Sequence, residues 1–353
     1  MLLTGALACV LALTACTTGT SEPDASAPAT SAVPAPSEEP SSEEPSEDPT
    51  EQESEPEETA TPRPRSVSLP ALFEREYDGR GLRLRGVIAR TDAYTSHTVT
   101  YRSGDLTISG KLNVPTGRGP FPALVLAHGY IDPAYYVNGQ GLMREQDWLA
   151  RAGYVVLHTD YRNHAGSSKD PRAERRMRLG YTVDTINAVK ALRATKRIRV
   201  DDDRIGLLGR SMGGGVVYNV LVTAPGLVDA AVVFAPVSSR TADNFNRWIR
   251  DGDGRDDLSD FILARYGEPR EARRFWREVS PRTYFDRITE PVLIHHGTAD
   301  ESCPIRWSRQ TLRAMKAAGV QARMRTYPGE PHAFAADWPL SMRRTTGFFR
   351  RHL

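Results

Sequence analysis

The chain has 353 residues, 25% of them charged and 39% hydrophobic, enough to bury a sizeable core without disulfide or metal staples. Its formal charge of +2, from 46 basic and 44 acidic residues, hides a division: residues 1–62 hold 13 acidic residues and no Lys or Arg, which leaves 46 minus 31, or +15, on the remainder. The three cysteines, Cys9, Cys16 and Cys303, exclude a disulfide framework, and no apolar run reaches the roughly 20 residues that cross a bilayer.

Residues 2–15 form a short apolar run closed by Leu13-Thr14-Ala15-Cys16. About 14 residues suit the core of a signal peptide rather than a membrane span. The four residues resemble the lipobox of bacterial lipoproteins, which implies cleavage before Cys16 and lipidation of that cysteine. The resulting expectation is an extracytoplasmic protein anchored to the membrane by lipid on Cys16. One departure is that no Lys or Arg precedes the run. Residues 16–66 are dominated by Ser, Glu, Pro, Thr and Ala, in runs such as Ser37-Glu38-Glu39-Pro40. Such a composition buries too little apolar surface to offset its ordering entropy, so the stretch reads as a disordered acidic stalk. Residues 67–353 read as the folded domain.

Within that domain strands and helices alternate. Residues 97–103 and 106–114 read as a hairpin turning near Ser103-Gly104-Asp105. Ala123-Leu124-Val125-Leu126-Ala127 is a continuous apolar run, as are Val155-Val156-Leu157, Ile205-Gly206-Leu207-Leu208, Ala230-Ala231-Val232-Val233-Phe234 and Val292-Leu293-Ile294. Runs of this kind fit strands covered on both faces. Between them, residues 177–194 place Leu179, Val183, Ile186, Val189 and Leu192 at helical spacing. Residues 216–223 and 305–318 also read as helices, the latter stopped by Gly319. The alternation predicts an α/β fold: a doubly wound, mostly parallel sheet with antiparallel early strands. From about 240 to 285 the strand rhythm breaks, and Phe245, Trp248, Ile249, Phe261 and Trp276 among many charges predict a helical insertion.

Gly209-Arg210-Ser211-Met212-Gly213 follows an apolar strand and opens a helix. In that context G-x-S-x-G lifts a serine above the sheet on a sharp turn. Ser211 is therefore the candidate nucleophile. It needs a base. Of eight histidines, His128 and His296 precede glycines at strand ends, where a turn role is expected, and His97 lies within a strand. His332 follows the expected last strand, 321–327, in a loop at the edge where catalytic groups gather. An acid must orient that imidazole. Asp300 comes shortly after the strand at 292–295, between Ser211 and His332 in the chain, with Glu301, Asp243 and Glu330 as rivals. For an oxyanion hole, one donor is expected from the N–H of Met212 and the other from the N–H of Tyr130, after His128-Gly129.

From about Thr98 onward the chain resembles an α/β-hydrolase. Its last 150 residues resemble the catalytic domain of the prolyl oligopeptidase family, on Gly209-Arg210-Ser211-Met212-Gly213-Gly214, Ser280-Pro281-Arg282-Thr283-Tyr284, Pro291 to Asp300 through His295-His296-Gly297, and Tyr327-Pro328-Gly329-Glu330-Pro331-His332-Ala333-Phe334. The resemblance places a triad on Ser211, Asp300 and His332. Three departures stand out. Only about 35 residues lie between the stalk and the first hydrolase strands, too few for the family's β-propeller. Met212 stands where peptidase members commonly carry tyrosine, and Cys303 replaces a small aliphatic residue. The resemblance implies a serine hydrolase working through an acyl-enzyme, foremost a serine peptidase on short peptides. A carboxylic ester hydrolase on small or lipidic acyl esters is the alternative, and a non-catalytic surface binding lipoprotein the remote one.

No cofactor is expected. No metal site is expected either: no zinc spacing occurs among the histidines, and Asp251-Gly252-Asp253-Gly254-Arg255 carries Arg255 where a calcium loop needs a ligand. The excess of basic residues, 41 of the 46 being Arg, suits anionic envelope polymers rather than nucleic acid as partners.

Overall fold

The computed structural model describes residues 65–353. The apolar leader, Cys16 and nearly all of the acidic stretch lie outside the described residues. Nine strands, β1 (Arg80–Arg90), β2 (Tyr94–Ser103), β3 (Leu106–Pro115), β4 (Phe121–Ala127), β5 (Val155–Thr159), β6 (Val200–Arg210), β7 (Ala230–Phe234), β8 (Val292–Gly297) and β9 (Ala322–Tyr327), form one sheet. Their order is β1-β2-β3-β5-β4-β6-β7-β8-β9. The first three are antiparallel, β3 meets β5 antiparallel, and everything from β5 through β4 to β9 is parallel. This is the α/β-hydrolase arrangement.

The run at 123–127 shows why the chain makes a central strand. Ala123, Val125 and Ala127 join one buried apolar cluster while Leu124 and Leu126 join another, on the opposite face. The first cluster is completed by α1 (Leu69–Phe73), α3 (Leu179–Ala194), α4 (Met212–Thr223) and α8 (Ile305–Ala317). The second is covered by α2 (Met143–Arg151) and α9 (Trp338–His352), through Leu149, Met342, Phe348 and Phe349. Between β7 and β8 the chain leaves the sheet for α5 (Thr241–Phe245), a π-turn at Asn246–Arg250, α6 (Asp256–Tyr266), α7 (Arg273–Glu278) and a 3₁₀ stretch at Pro281–Arg287.

The strand order fixes where a site can form. From β4 the chain moves outward to β5, then crosses back to place β6 on β4's other side. Such a reversal opens a crevice beyond the carboxyl ends of the strands. Ala127 at the end of β4 pairs with Gly209 near the end of β6. The segments that follow, 128–130 and Ser211, therefore emerge side by side.

Candidate active site

Ser211 is the single residue between β6 and α4, with φ 57° and ψ −123°. That conformation is costly for a residue with a Cβ and persists only where neighbours impose it. Here they do. The Ser211 N–H donates to Phe234 O on β7 at 3.0 Å, and its carbonyl accepts from the N–H groups of Gly214, Gly215 and Val237 at 2.9, 3.3 and 3.2 Å. The helix starts at Met212, four residues earlier than the expected 216, because glycine allows the contact: a Cβ on Gly213 would stand 2.0 Å from Ala127 O. Gly129 has the same function on the other side, for a Cβ there would lie 3.2 Å from Ser211 Cβ and 3.8 Å from its Oγ. The 128–130 loop thus crosses directly over the hydroxyl. The N–H of Met212, in the first turn of α4, has no intrahelical acceptor and points out of the positive end of the helix.

The second half of the site comes from loops after β8 and β9. Asp300 Oδ1 accepts the N–H groups of Ser302 and Cys303 at 2.9 and 2.8 Å. His332 places Nδ1 2.9 Å from Asp300 Oδ2 and 3.0 Å from Oδ1. The Asp300 side chain is fully buried, while that of His332 keeps 17% of its surface exposed. Burial works against the Asp300 carboxylate, yet the hydrogen bonds from His296, His332 and the Cys303 N–H outweigh it and hold the group well below the ordinary carboxylate range. Asp300 is thus a fixed negative charge beneath the imidazole.

The rival carboxylates are occupied elsewhere. Glu301 Oε2 accepts the backbone N–H of His332 at 3.1 Å. Glu330 pins the loop through the N–H groups of Ala335 and Asp337. Asp243 accepts the Ser238 hydroxyl at 2.6 Å. His296 departs from its expected turn role: it is the fifth residue of β8, buried, with Nε2 3.2 Å from Asp300 Oδ2 and Nδ1 2.7 Å from Ser308 Oγ. His128 is buried after β4, its Nδ1 2.6 Å from Gly129 O and its ring stacked at 4.8 Å on Tyr136. Burial pushes it down to about 3, so it is neutral packing under the loop.

Ser211 and His332 open onto one cavity of about 560 Å³. Among the described residues no hydrogen bond joins the Ser211 hydroxyl to the imidazole, and the Cys303 thiol belongs to the loop whose backbone holds Asp300. Resting enzymes commonly leave this bond unmade until substrate binds. The thiol itself is buried and pushed up to about 12, first by burial and then by the Asp300 charge, so it stays protonated.

Tyr130 stands at the mouth between two guanidinium groups, Arg178 4.7 Å and Arg255 5.4 Å from its ring centre. Arg255 also donates to the Tyr130 hydroxyl at 2.5 Å. Both arginines pair with Glu174, at 2.7 and 3.5 Å. Burial alone would weaken the Arg178 charge, but Glu174 outweighs it. This clamp joins Tyr130 and Arg255, far apart in the chain, to the i,i+4 pair of Glu174 and Arg178, and no local motif announces the whole. Among the described residues, 251–257 gather no trio of carboxylates able to hold an ion; the exposed group at Asp201, Asp202 and Asp203 does come together, at the far end of β6.

Residues 140–353 match the model of the prolyl oligopeptidase family. Over 249 residues the chain is 28% identical to the dipeptidyl aminopeptidase BIII of Pseudoxanthomonas mexicana, covering 68% of this chain and 33% of that protein. Over 231 residues it is 24% identical to the acylamino-acid-releasing enzyme of Rattus norvegicus, covering 63% and 30%. The chain spans about a third of the length of these curated relatives. Among solved structures it is similar in fold to the Pyrococcus horikoshii acylaminoacyl peptidase, with a TM-score of 0.58, 22% identity and coverage of 75% of this chain and 42% of that one. It is also similar in fold to acetyl xylan esterase 1 from Thermoanaerobacterium, with a TM-score of 0.61, 17% identity and coverage of 80% and 92%.

Proposed function

Because the chain belongs to the prolyl oligopeptidase family, and so is a serine hydrolase, we propose that it is a serine peptidase that cleaves short peptides through an acyl-enzyme on Ser211. The observation that carries this reading is the His332–Asp300 pair facing the same cavity as a serine held at φ 57°. Asp300 takes the Nδ1–H of His332 and leaves Nε2 as the basic nitrogen. A turn of the Ser211 side chain brings its hydroxyl to that nitrogen. The imidazole then removes the proton as Oγ attacks the carbonyl carbon. The N–H groups of Met212 and Tyr130 receive the oxyanion, and Asp300 stabilises the imidazolium. His332 next protonates the leaving amine, and water admitted to the vacated space reverses the steps to free the acid.

The same sequence of steps serves an ester, whose alkoxide leaves more readily than an amine. The test is therefore paired. A fluorophosphonate probe should label wild-type protein and leave Ser211→Ala unlabelled, and aminoacyl anilides should be cleaved alongside p-nitrophenyl esters. Labelling of Ser211→Ala at the wild-type rate would refute the nucleophile. Ester turnover without any anilide turnover would replace the peptidase by a carboxylic ester hydrolase. We further propose that lipid on Cys16 anchors the enzyme outside the cytoplasm. Cys16→Ser should then move the protein from the membrane fraction to the soluble one.

A further inference from the structure

Two consecutive residues of α2 reach the two halves of the site. Arg144 extends to the loop that carries His332: one guanidinium nitrogen donates to the Ala333 carbonyl at 2.6 Å and to the Phe334 carbonyl at 3.0 Å. Glu145 turns inward and is buried. Its Oε2 lies 3.1 Å from the guanidinium of Arg210, as an ion pair rather than an aligned hydrogen bond, and Arg210 is the residue before Ser211. The start of one helix is thus tied to the nucleophile's strand on one side and to the base's loop on the other.

Trp338 joins the two arms. Its indole N–H donates to Glu145 Oε1 at 2.8 Å, while the Arg144 guanidinium lies 4.7 Å above its ring. Stacking of this kind holds a long arginine in one direction. Both ends of the contact carry backbone that side chains disfavour: Leu142, which precedes α2, has φ 53° and Phe334 has φ 49°, and both are buried. Such strain persists only where the surroundings over-determine it. The loop's other anchors all come from the β8–β9 side. Glu301 accepts the His332 N–H, Thr298 accepts the Gly329 N–H at 2.9 Å, and Glu330 O accepts the Ala299 N–H at 3.1 Å. Arg144 instead ties the loop across to the helix that grips the end of β6.

Resting on the serine-hydrolase reading above, we propose that Arg144 is a positioning residue: it sets the distance between His332 and Ser211 by holding the base's loop to a helix whose next residue holds the nucleophile's strand. A base works only within hydrogen-bond reach of the proton it takes, and the Ser211–His332 bond is not made at rest. Without the guanidinium the loop keeps its anchors to β8 and β9 but loses its reference to β6, so the imidazole wanders relative to the hydroxyl. That loss falls on the proton transfer and not on substrate binding.

The experiment measures kcat and KM for p-nitrophenyl acetate, and the rate of fluorophosphonate labelling, on wild type, Arg144→Ala and Arg144→Met; the methionine keeps an apolar stem over Trp338 and loses only the donor. Arg144 is exposed, so both variants should fold. The expected result is a fall in kcat and labelling rate of roughly ten- to a hundredfold, the cost of misplacing a catalytic group by about 1 Å, with KM within about twofold of wild type. Millimolar guanidinium chloride should restore Arg144→Ala several-fold, and sodium chloride at the same ionic strength should not. Wild-type kcat in either folded variant overturns the proposal. So does a loss that follows a lowered melting midpoint, vanishes on cooling and ignores guanidinium, which would make Arg144 a stabilising residue only. If wild type neither turns over the ester nor takes the probe, the hydrolase reading falls and the proposal with it; an active wild type beside equally active variants removes only the role of Arg144.

Discussion

Asp300 meets His332 with both carboxylate oxygens, at 2.9 and 3.0 Å from Nδ1, while one of them also holds the N–H groups of Ser302 and Cys303. That division of labour makes Asp300→Asn informative. The amide oxygen keeps the two backbone bonds, so its NH₂ turns toward His332 Nδ1. A donor there forces the imidazole proton onto Nε2, the nitrogen that must receive the Ser211 proton. The expected outcome is a fall in kcat of about 10³ to 10⁴, the scale seen when a triad carboxylate becomes an amide, with the thermal midpoint little changed. Steady-state kinetics beside a melting curve checks both halves.

Two glycines should separate folding from turnover. Gly213→Ala drives a Cβ into the backbone of Ala127 and should cost about 3 kcal/mol or more, since neither α4 nor β4 has room to yield. Gly129→Ala meets the Ser211 side chain at 3.2 Å. That variant should fold, with kcat reduced by roughly ten- to a hundredfold through displacement of the hydroxyl or of the loop above it. Urea denaturation and kinetics on the two proteins would show the contrast; equal stability losses would contradict it.

Cys303 donates its backbone N–H to Asp300, yet its thiol should be chemically silent. Burial holds its thiol protonated up to about pH 12, and the thiolate is the reactive form. Iodoacetamide at pH 8 should leave Cys303 unmodified in the native enzyme and alkylate it once urea unfolds the chain. Mass spectrometry of the peptide containing Cys303 reads both states. Rapid native alkylation with loss of activity would contradict the burial.

Stability should fall on mild acidification. Burial pushes His128, His158 and His295 down to about 3, whereas the unfolded chain titrates them near 6.5. Between those values the unfolded state binds protons that the folded state refuses. Stability is therefore full above about pH 6.5 and declines toward pH 3, by up to about 1.4 kcal/mol per pH unit for each histidine. Asp300 adds to this lower down, because its folded value is depressed: its contribution is intact above the ordinary carboxylate range and is lost progressively from there downward, as the pH falls through the depressed folded value. Urea midpoints from pH 7.5 to 4.5 would follow the slope. His158→Phe, which keeps an aromatic ring stacked on His128, should flatten it by about one proton.

The buried parallel strands were legible because a strand covered on both faces is mostly apolar: β4 and β7 are, and β8 opens on Val292-Leu293-Ile294 before its two buried histidines. β1 escaped notice for the opposite reason. Only Leu82 of its eleven residues is buried, and the alternation Leu82-Arg83-Leu84-Arg85 is short and broken by Gly81 and Gly86 on either side. The first turn of α4 was hidden by Gly213-Gly214-Gly215, whose weak helical propensity is overruled by the close approach to Ala127. α2 and α9 lie on the second face of the sheet and were not anticipated from their sequence. At the site, Ser211, Asp300 and His332 sit beside glycine turns that mark strand ends, and the structure places the Asp300 carboxylate against the His332 imidazole. His296 and the Glu174 clamp carry no such punctuation. Their positions come from tertiary packing.

The outer wall of the cavity is one uninterrupted piece of chain, from Thr241 to Pro281, inserted between β7 and β8. The reacting side chains all belong to other segments. The reacting groups and much of the cavity's lining are thus encoded in separable stretches of the gene. Exchanging that single excursion could retarget the enzyme while its proton-transfer machinery passes unchanged from one ancestor to the next.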